Sequence, residues 1–247
     1  SVGTLNGTAN TTINTAFNWS GGTLGGSGTF TAASGSTTTL SSGNWKYLGD
    51  TVTLTNNGTM VTDATGTTGI YAYNAGAKTI NNAGTWDIQT DADTTYYLGT
   101  LTINNSGSLT KSAGTAVSIL HGLNNTGTVT VNSGTLQLAD GGTGSYTHSG
   151  AFSVATGATL DFNSGTHTLT AASSYAGAGT LSISGGAVTA NGTGTVTQLN
   201  MSGGTAVFST IGLTNTLTQS GGTLSTNNAN TLGTVTLSGG TLNGTGN

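Results

Sequence analysis

Apolar residues along this chain come in pairs two positions apart: Val52/Leu54, Trp86/Ile88, Leu101/Ile103, Val117/Ile119, Val129/Val131, Leu136/Leu138, Leu160/Phe162, Leu181/Ile183 and Val235/Leu237, usually with Thr or Ser between or beside them. Successive side chains of a strand point to opposite sides, so such a pair faces one way and the hydroxyls face the other. Gly-Thr, Asn-Gly and Ser-Gly steps separate the pairs and supply turns. No stretch carries the i, i+3, i+4, i+7 spacing of a helix over a useful length. The pattern predicts short strands that turn, run and turn again, as in a coil with two or three faces.

Toward the end of the chain the pattern becomes periodic. Ser184-Gly185-Gly186-Ala187, Ser202-Gly203-Gly204-Thr205, Ser220-Gly221-Gly222-Thr223 and Ser238-Gly239-Gly240-Thr241 follow one another in steps of 18. A fixed period with turn residues at one phase and β-formers after them marks a solenoid whose coils stack, because one coil cannot bury its apolar face alone. Leu199 and Leu217 share a phase of this repeat and are expected inside. A looser repeat occupies the middle: Asn56-Asn57, Asn81-Asn82, Asn104-Asn105 and Asn124-Asn125, in steps of 25, 23 and 20. An apolar residue follows each motif: Met60, Trp86, Leu109, Val129. We read these as successive coils with the Asn pairs stacked at one corner, where side-chain amides bond along a ladder; Asn also suits turns in its own right. The varying step predicts protruding loops at Asp63 to Ala77 and Asp91 to Tyr97.

The expected fold class is therefore all-β: a parallel β-helix (β-solenoid) of about 18–25 residues per coil, with residues 1–247 one solenoid segment. A left-handed β-helix is the alternative, since 18 is three hexapeptides, although the apolar residue does not recur cleanly every six. The two ends resemble each other: Ser1–Asn10 and Ser238–Asn247 agree at eight of ten positions, at an offset of 237. The simplest account is one unit of a longer tandem array, able to continue head to tail into a filament.

Composition narrows the partners. The chain has 43 Gly, no Pro, no Cys, 33% hydrophobic and 4% charged residues. Low charge with few apolar residues can signal disorder, but the abundance of Thr, Val and Ile in regular positions argues for ordered β structure. There are seven Asp and no Glu, three Lys (Lys46, Lys78, Lys111) and no Arg, for a net charge of −4. Nucleic-acid binders need a basic stripe, and three scattered Lys do not make one. No apolar run reaches the ~18 residues of a membrane span, so no membrane insertion of this segment is expected. No signal peptide is seen, and a start at Ser1 reads as processed or trimmed.

Thr128-Val129-Thr130-Val131-Asn132-Ser133-Gly134-Thr135-Leu136-Gln137-Leu138 resembles the passenger-associated strand repeats of bacterial autotransporters, and the Ser-Gly-Gly-Thr-Leu segments are similar. More broadly the chain resembles filamentous-haemagglutinin-type adhesins. The resemblance covers most of the chain but is compositional. It implies a right-handed parallel β-helix, export to the bacterial surface, and a role in adhesion or surface coating.

Candidate chemistry is sparse. Asp91 and Asp93 are i, i+2 and suit paired carboxylates of a carbohydrate-cleaving site; the surrounding residues read more plainly as an exposed loop. His121, His148 and His167 lack a second ligand at metal spacing and read as surface or core histidines. Asp140-Gly141-Gly142-Thr143-Gly144 is similar to a Ca²⁺-binding Gly/Asp repeat but lacks the recurring Asp, so it reads as a turn. Trp45, Lys46, Tyr47, Tyr71, Tyr73, Tyr96 and Tyr97 are grouped, and exposed aromatics on a polar rod suit stacking on sugar rings or a neighbouring fibre. Trp19, Trp45 and Trp86 are expected to fill a widened interior instead. The Thr-x-Thr tripeptides at Thr51, Thr128, Thr195, Thr216 and Thr234 present outward hydroxyl pairs, an array similar to ice-binding solenoid surfaces if flat, though Thr is also the best polar strand former. The function expected is an extracellular structural or adhesive fibre segment rather than an enzyme, without catalytic residues, cofactor or metal. Its expected partners are copies of itself and surface glycans. The alternatives are a carbohydrate-binding or carbohydrate-cleaving β-helix, and an ice-binding solenoid.

Overall fold

Inward and outward positions alternate along most strands, as in Thr85–Ile88, where Trp86 and Ile88 are buried and Thr85 is exposed. These strands are too short to bury a core singly, and the chain stacks them. The computed structural model describes residues 3–63 and 68–244. The chain is an all-β parallel solenoid of about 11 turns with about 21 residues per coil.

Each coil crosses three faces. Around residue 80 these are Ile70–Ala72, Ala77–Asn82 and Thr85–Ile88, every one paired in parallel with its counterparts above and below. First-face strands make a five-stranded sheet from Thr4–Asn6 to Thr94–Tyr96. Second-face strands make a 12-stranded sheet from Thr11–Ile13 to Thr241–Gly244. Val117–His121 sits over Thr94–Tyr96 but is tied to it by side chains: the Ile119 amide donates to Asp93 Oδ1 at 2.7 Å and the His121 amide to Thr94 Oγ1 at 2.8 Å. From there the first face resumes and joins the third face in one 15-stranded sheet. The join is Thr193–Met201, which pairs with Ser174–Ala176 at its start and Thr180–Ile183 at its end. That strand absorbs a corner, which is why the late coils need fewer residues. One apolar core runs the length of the axis, from Trp19 to Leu224.

The late repeat stacks as expected. Ala187–Ala190, Thr205–Phe208, Thr223–Thr226 and Thr241–Gly244 lie in parallel register, and Leu199, Leu217 and Val235 form one column. The Gly-Gly corner has a reason at both positions. A Cβ on Gly203 would stand 2.3 Å from the Ser184 carbonyl oxygen of the coil before, and Gly204 has φ 65°.

The asparagine ladder exists, one residue out of the expected register at its first step. Its members are Asn56, Asn82, Asn105 and Asn125, all buried. Each Nδ2 donates to the next Oδ1, at 2.7, 2.7 and 2.8 Å. Each also donates to a carbonyl one coil on, at Thr85, Ser108, Thr128 and Ala151. Asn81, Asn104 and Asn124 form a second, outward ladder with Nδ2 to Oδ1 distances of 3.0 and 3.3 Å. Sequence alignment set Asn56 against Asn81, but strand alternation decides the register, because a one-residue slip would turn Leu54 and Ile80 to opposite sides. Asn105→Leu should cost about 2–4 kcal/mol in urea unfolding, because it strips Asn125 Oδ1 of its donor and takes one of two acceptors from Asn82 Nδ2. Asn104→Leu, on the outer ladder, should cost under about 1 kcal/mol.

Two expectations need correction. Thr94–Tyr96 and Ile70–Ala72 are first-face strands, and Ala92 and Thr94 are buried, so neither proposed loop protrudes as a whole; residues 64–67 lie outside the described residues. Val117 and Ile119 do not point inward: Ser118 and Leu120 do, opposite Leu136 and Leu138. Ser118 goes in because its hydroxyl is fully partnered there, donating to the Thr90 carbonyl and accepting from Lys111 Nζ. Val235 and Leu237 stand in register with the buried Leu217 and Gln219, on the inward side as expected, and are 45% and 55% exposed. The matching end segments stand on different faces, Thr4–Asn6 on the first and Thr241–Gly244 on the second.

Candidate functional site

The titratable side chains come first, because their surroundings decide what chemistry is open to them. Asp91 Oδ1 accepts from Lys111 Nζ at 2.8 Å and from the Ala116 amide at 3.1 Å. Burial opposes its ionisation, but these hydrogen bonds outweigh it and hold the carboxyl below its ordinary range. Asp93 turns to the Ile119 amide, and burial raises its pKa. The two carboxylates thus serve different partners at one corner. His121 Nδ1 lies 2.5 Å from the Thr94 carbonyl oxygen, and burial lowers its pKa. Asp140 closes the Gly-rich turn, accepting from the Gly142 and Gly144 amides at 2.8 and 3.0 Å and from the Tyr146 hydroxyl. Among the described residues no group of three His, Cys, Asp or Glu side chains is placed to hold a metal ion.

His148 continues the column that the buried asparagines begin. His167 Nε2 lies 3.0 Å from the Ser164 carbonyl oxygen, which can only accept, so that nitrogen carries the proton and Nδ1 is bare. His148 Nε2, 3.1 Å away, must then donate to it. The rings stack at 5.4 Å within Phe152 and Phe162, and His148 Nδ1 has no partner.

All three lysines point inward. Their side chains run through the core and their ammoniums close corners from within. Lys46 Nζ donates to the carbonyls of Ser42 and Thr68, and Lys78 Nζ to those of Asn74, Ala75 and Gly76. Lys111 Nζ reaches the carbonyls of Thr90 and Ala113, Ser118 Oγ and Asp91. Burial lowers the pKa of Lys46 and Lys78, with Asp63 and Asp50 pulling the other way. Scarcity of charge in the sequence gave no hint that the lysines are structural; their place two residues from buried apolar positions, as Lys78 from Ile80, is the signal. An amine-reactive ester should leave all three unmodified in the native protein and label all three after denaturation, read by peptide mass spectrometry. Trypsin should be blocked by the same burial.

The aromatic residues separate into two sets. Trp19 and Trp86 are buried, and Trp86 Nε1 donates to Thr62 Oγ1 at 3.2 Å. Trp45 is not inside as expected: it precedes the inward Lys46 and so points out. It joins Tyr47, Tyr71 and Tyr73 on the first face. Tyr47 pairs with Tyr71 across strands. Ring centroids are 5.6 Å apart for Trp45–Tyr71, 5.6 Å for Tyr47–Tyr71 and 5.5 Å for Tyr47–Tyr73. Tyr73 lies over Gly49, where a Cβ would come within 3.2 Å of the ring. One coil on, Tyr97 is 61% and Leu98 58% exposed.

The outward Thr are ordered as well. On the second face Thr29, Thr53, Thr79 and Thr102 form one row, and Thr12, Thr31 and Thr55 a parallel one that continues as Asn81, Asn104 and Asn124. The five Thr-x-Thr tripeptides do not share one face, since Thr128–Val131 is third-face and Thr234–Leu237 first-face. Comparison with family models, curated proteins and solved structures returns no match.

Proposed function

We propose that this chain is a segment of an extracellular structural and adhesive fibre, of the bacterial-surface kind its repeats resemble, and not an enzyme. One observation supports the reading best: the groups that usually carry chemistry are committed to holding coil to coil. The lysines close corners, the buried asparagines and histidines bond along the axis, and Asp91, Asp93 and Asp140 cap backbone amides. Hydroxyls, amides, carboxylates such as Asp50 and one ring cluster are left to meet the outside. Copies associate end to end, coil edge on coil edge. Electron microscopy of the purified chain across a concentration series tests this; filaments one solenoid wide are expected, and monodisperse short rods at every concentration would overturn it.

A second reading, ice binding, is favoured by the straight second-face rows. Coil length varies, yet the variation is taken up at corners and the hydroxyls stay opposite one another, with about 4.8 Å between coils and about 7 Å along a strand. Thermal hysteresis decides it: a freezing-point gap would establish that reading, and its absence would remove it.

A further inference from the structure

We infer that the first-face ring cluster is a binding platform for a neutral carbohydrate chain, an inference that rests on the adhesive reading above. Three adjacent strands build it. Lys46–Leu48, Ile70–Ala72 and Thr94–Tyr96 stack in register, so Tyr47 and Tyr71 fall in one outward column, between Thr23 before them and Thr95 after. The flanking columns are relieved by glycine. Trp45 aligns with Gly21 and Gly69, and Tyr73 with Gly25 and Gly49, as the amide of Tyr73 bonding the Leu48 carbonyl fixes. The rings therefore have bare backbone beside them, as Tyr73 has at Gly49, and pack tilted or edge to face with one another into one half-exposed patch. Two strand spacings by four residues gives about 10 by 14 Å, the footprint of two or three sugar rings and more than a single small cation fills.

The interplanar angles are 57°, 41° and 81°, so the platform is corrugated. A chain of puckered rings, with apolar C–H faces and equatorial hydroxyls, suits such a surface better than a flat aromatic ligand does. The rim supplies hydroxyl partners. Asp50 is exposed, with one oxygen accepting from the Gly26 amide and the other from Asn74 Nδ2 at 3.1 Å, and Asn44 borders Gly21. Charge selects the class of sugar. No Arg exists and all three Lys are buried, so a sulfated, sialylated or uronic chain would meet Asp50 with no exposed side-chain cation to answer it.

Trp45 is the reporter, because Trp19 and Trp86 are buried and silent to solvent. Titration with cellohexaose and with dextran, two uncharged glucans of different linkage, should shift the Trp45 emission to the blue for at least one of them. Tyr47→Ala/Tyr71→Ala should weaken that binding by about tenfold to a hundredfold, as expected for two lost ring contacts. Tyr73→Ala, at an exposed ring with little packing to lose, should weaken it as well, which keeps the test valid if the double variant misfolds. Asp87→Asn on the third face should change nothing. No response to either glucan, equal binding by the ring variants, or tighter binding of alginate or oligolysine than of both glucans would overturn the inference. Filaments without glucan binding would overturn it and leave the fibre reading standing; glucan binding without filaments would do the reverse.

Discussion

Leu217→Asp is expected to unfold the late coils and leave the early ones folded. Leu217 is fully buried and stands between Leu199 and Val235 in the inner column of the first face. A carboxylate there has no cation to pair with, since the lysines close corners at Ser42, Asn74 and Thr90. An unpartnered buried charge costs several kcal/mol, roughly 4 or more, or forces the acid to stay protonated at the same order of cost. In a solenoid each coil contacts only its neighbours, so the damage propagates locally. Hydrogen exchange should show protection lost from about Thr193 onward while the Asn82–Asn125 region keeps it. Leu217→Asn should do the same at smaller amplitude. Uniform loss along the chain would mean that the solenoid melts as one cooperative body.

The second large effect is acid destabilisation centred on the stacked histidines. Burial holds His148 down to about 3, with the nearby His167 charge adding to this, and holds His167 down to about 4. In the unfolded chain both titrate near 6.5. As pH falls from about 6.5 toward 4, the unfolded state takes up protons that the folded state refuses, so stability falls through that window and levels off below about 3. The pair accounts for on the order of 5 kcal/mol of it. His121, also lowered by burial, adds in the same direction. Asp91 and Asp140, held below their ordinary range, lose their contribution only lower still, and Asp93 acts with the opposite sign. Denaturant unfolding at a series of pH values should show a steep loss between pH 6.5 and 4.5 that His148→Phe/His167→Leu flattens. An unchanged slope in that variant would place the acid sensitivity elsewhere.

Much of the architecture could be read from the chain. The 18-residue step fixed the stacking of Thr205–Phe208 on Ala187–Ala190, because corner glycines and strand alternation enforce it independently. The one-residue error at Asn56 arose because two consecutive asparagines are interchangeable as letters; they differ only in which side of the strand they occupy. Ser118 facing in and Val117 facing out reverses hydrophobicity for a reason no periodicity contains: the ammonium of Lys111 arrives from the preceding strand and needs an acceptor. The ring cluster was half visible. Tyr47 and Tyr71 are 24 residues apart, and only the register shows that they touch.

The inward lysines also govern how two such rods meet. With no ammonium at the surface among the described side chains, an approach between neighbours sets carboxylate against carboxylate, and no ion pair can bridge them. The side-by-side force is then a repulsion of one sign, reaching about 10 Å in 0.1 M salt and shrinking to about 3 Å at 1 M. Under the proposed fibre assembly, bundles should therefore thicken as salt is raised, the reverse of assemblies stitched by opposite charges, and divalent cations should thicken them at lower concentration. A coat made of such rods would stay a dispersed brush in fresh water and consolidate in brine.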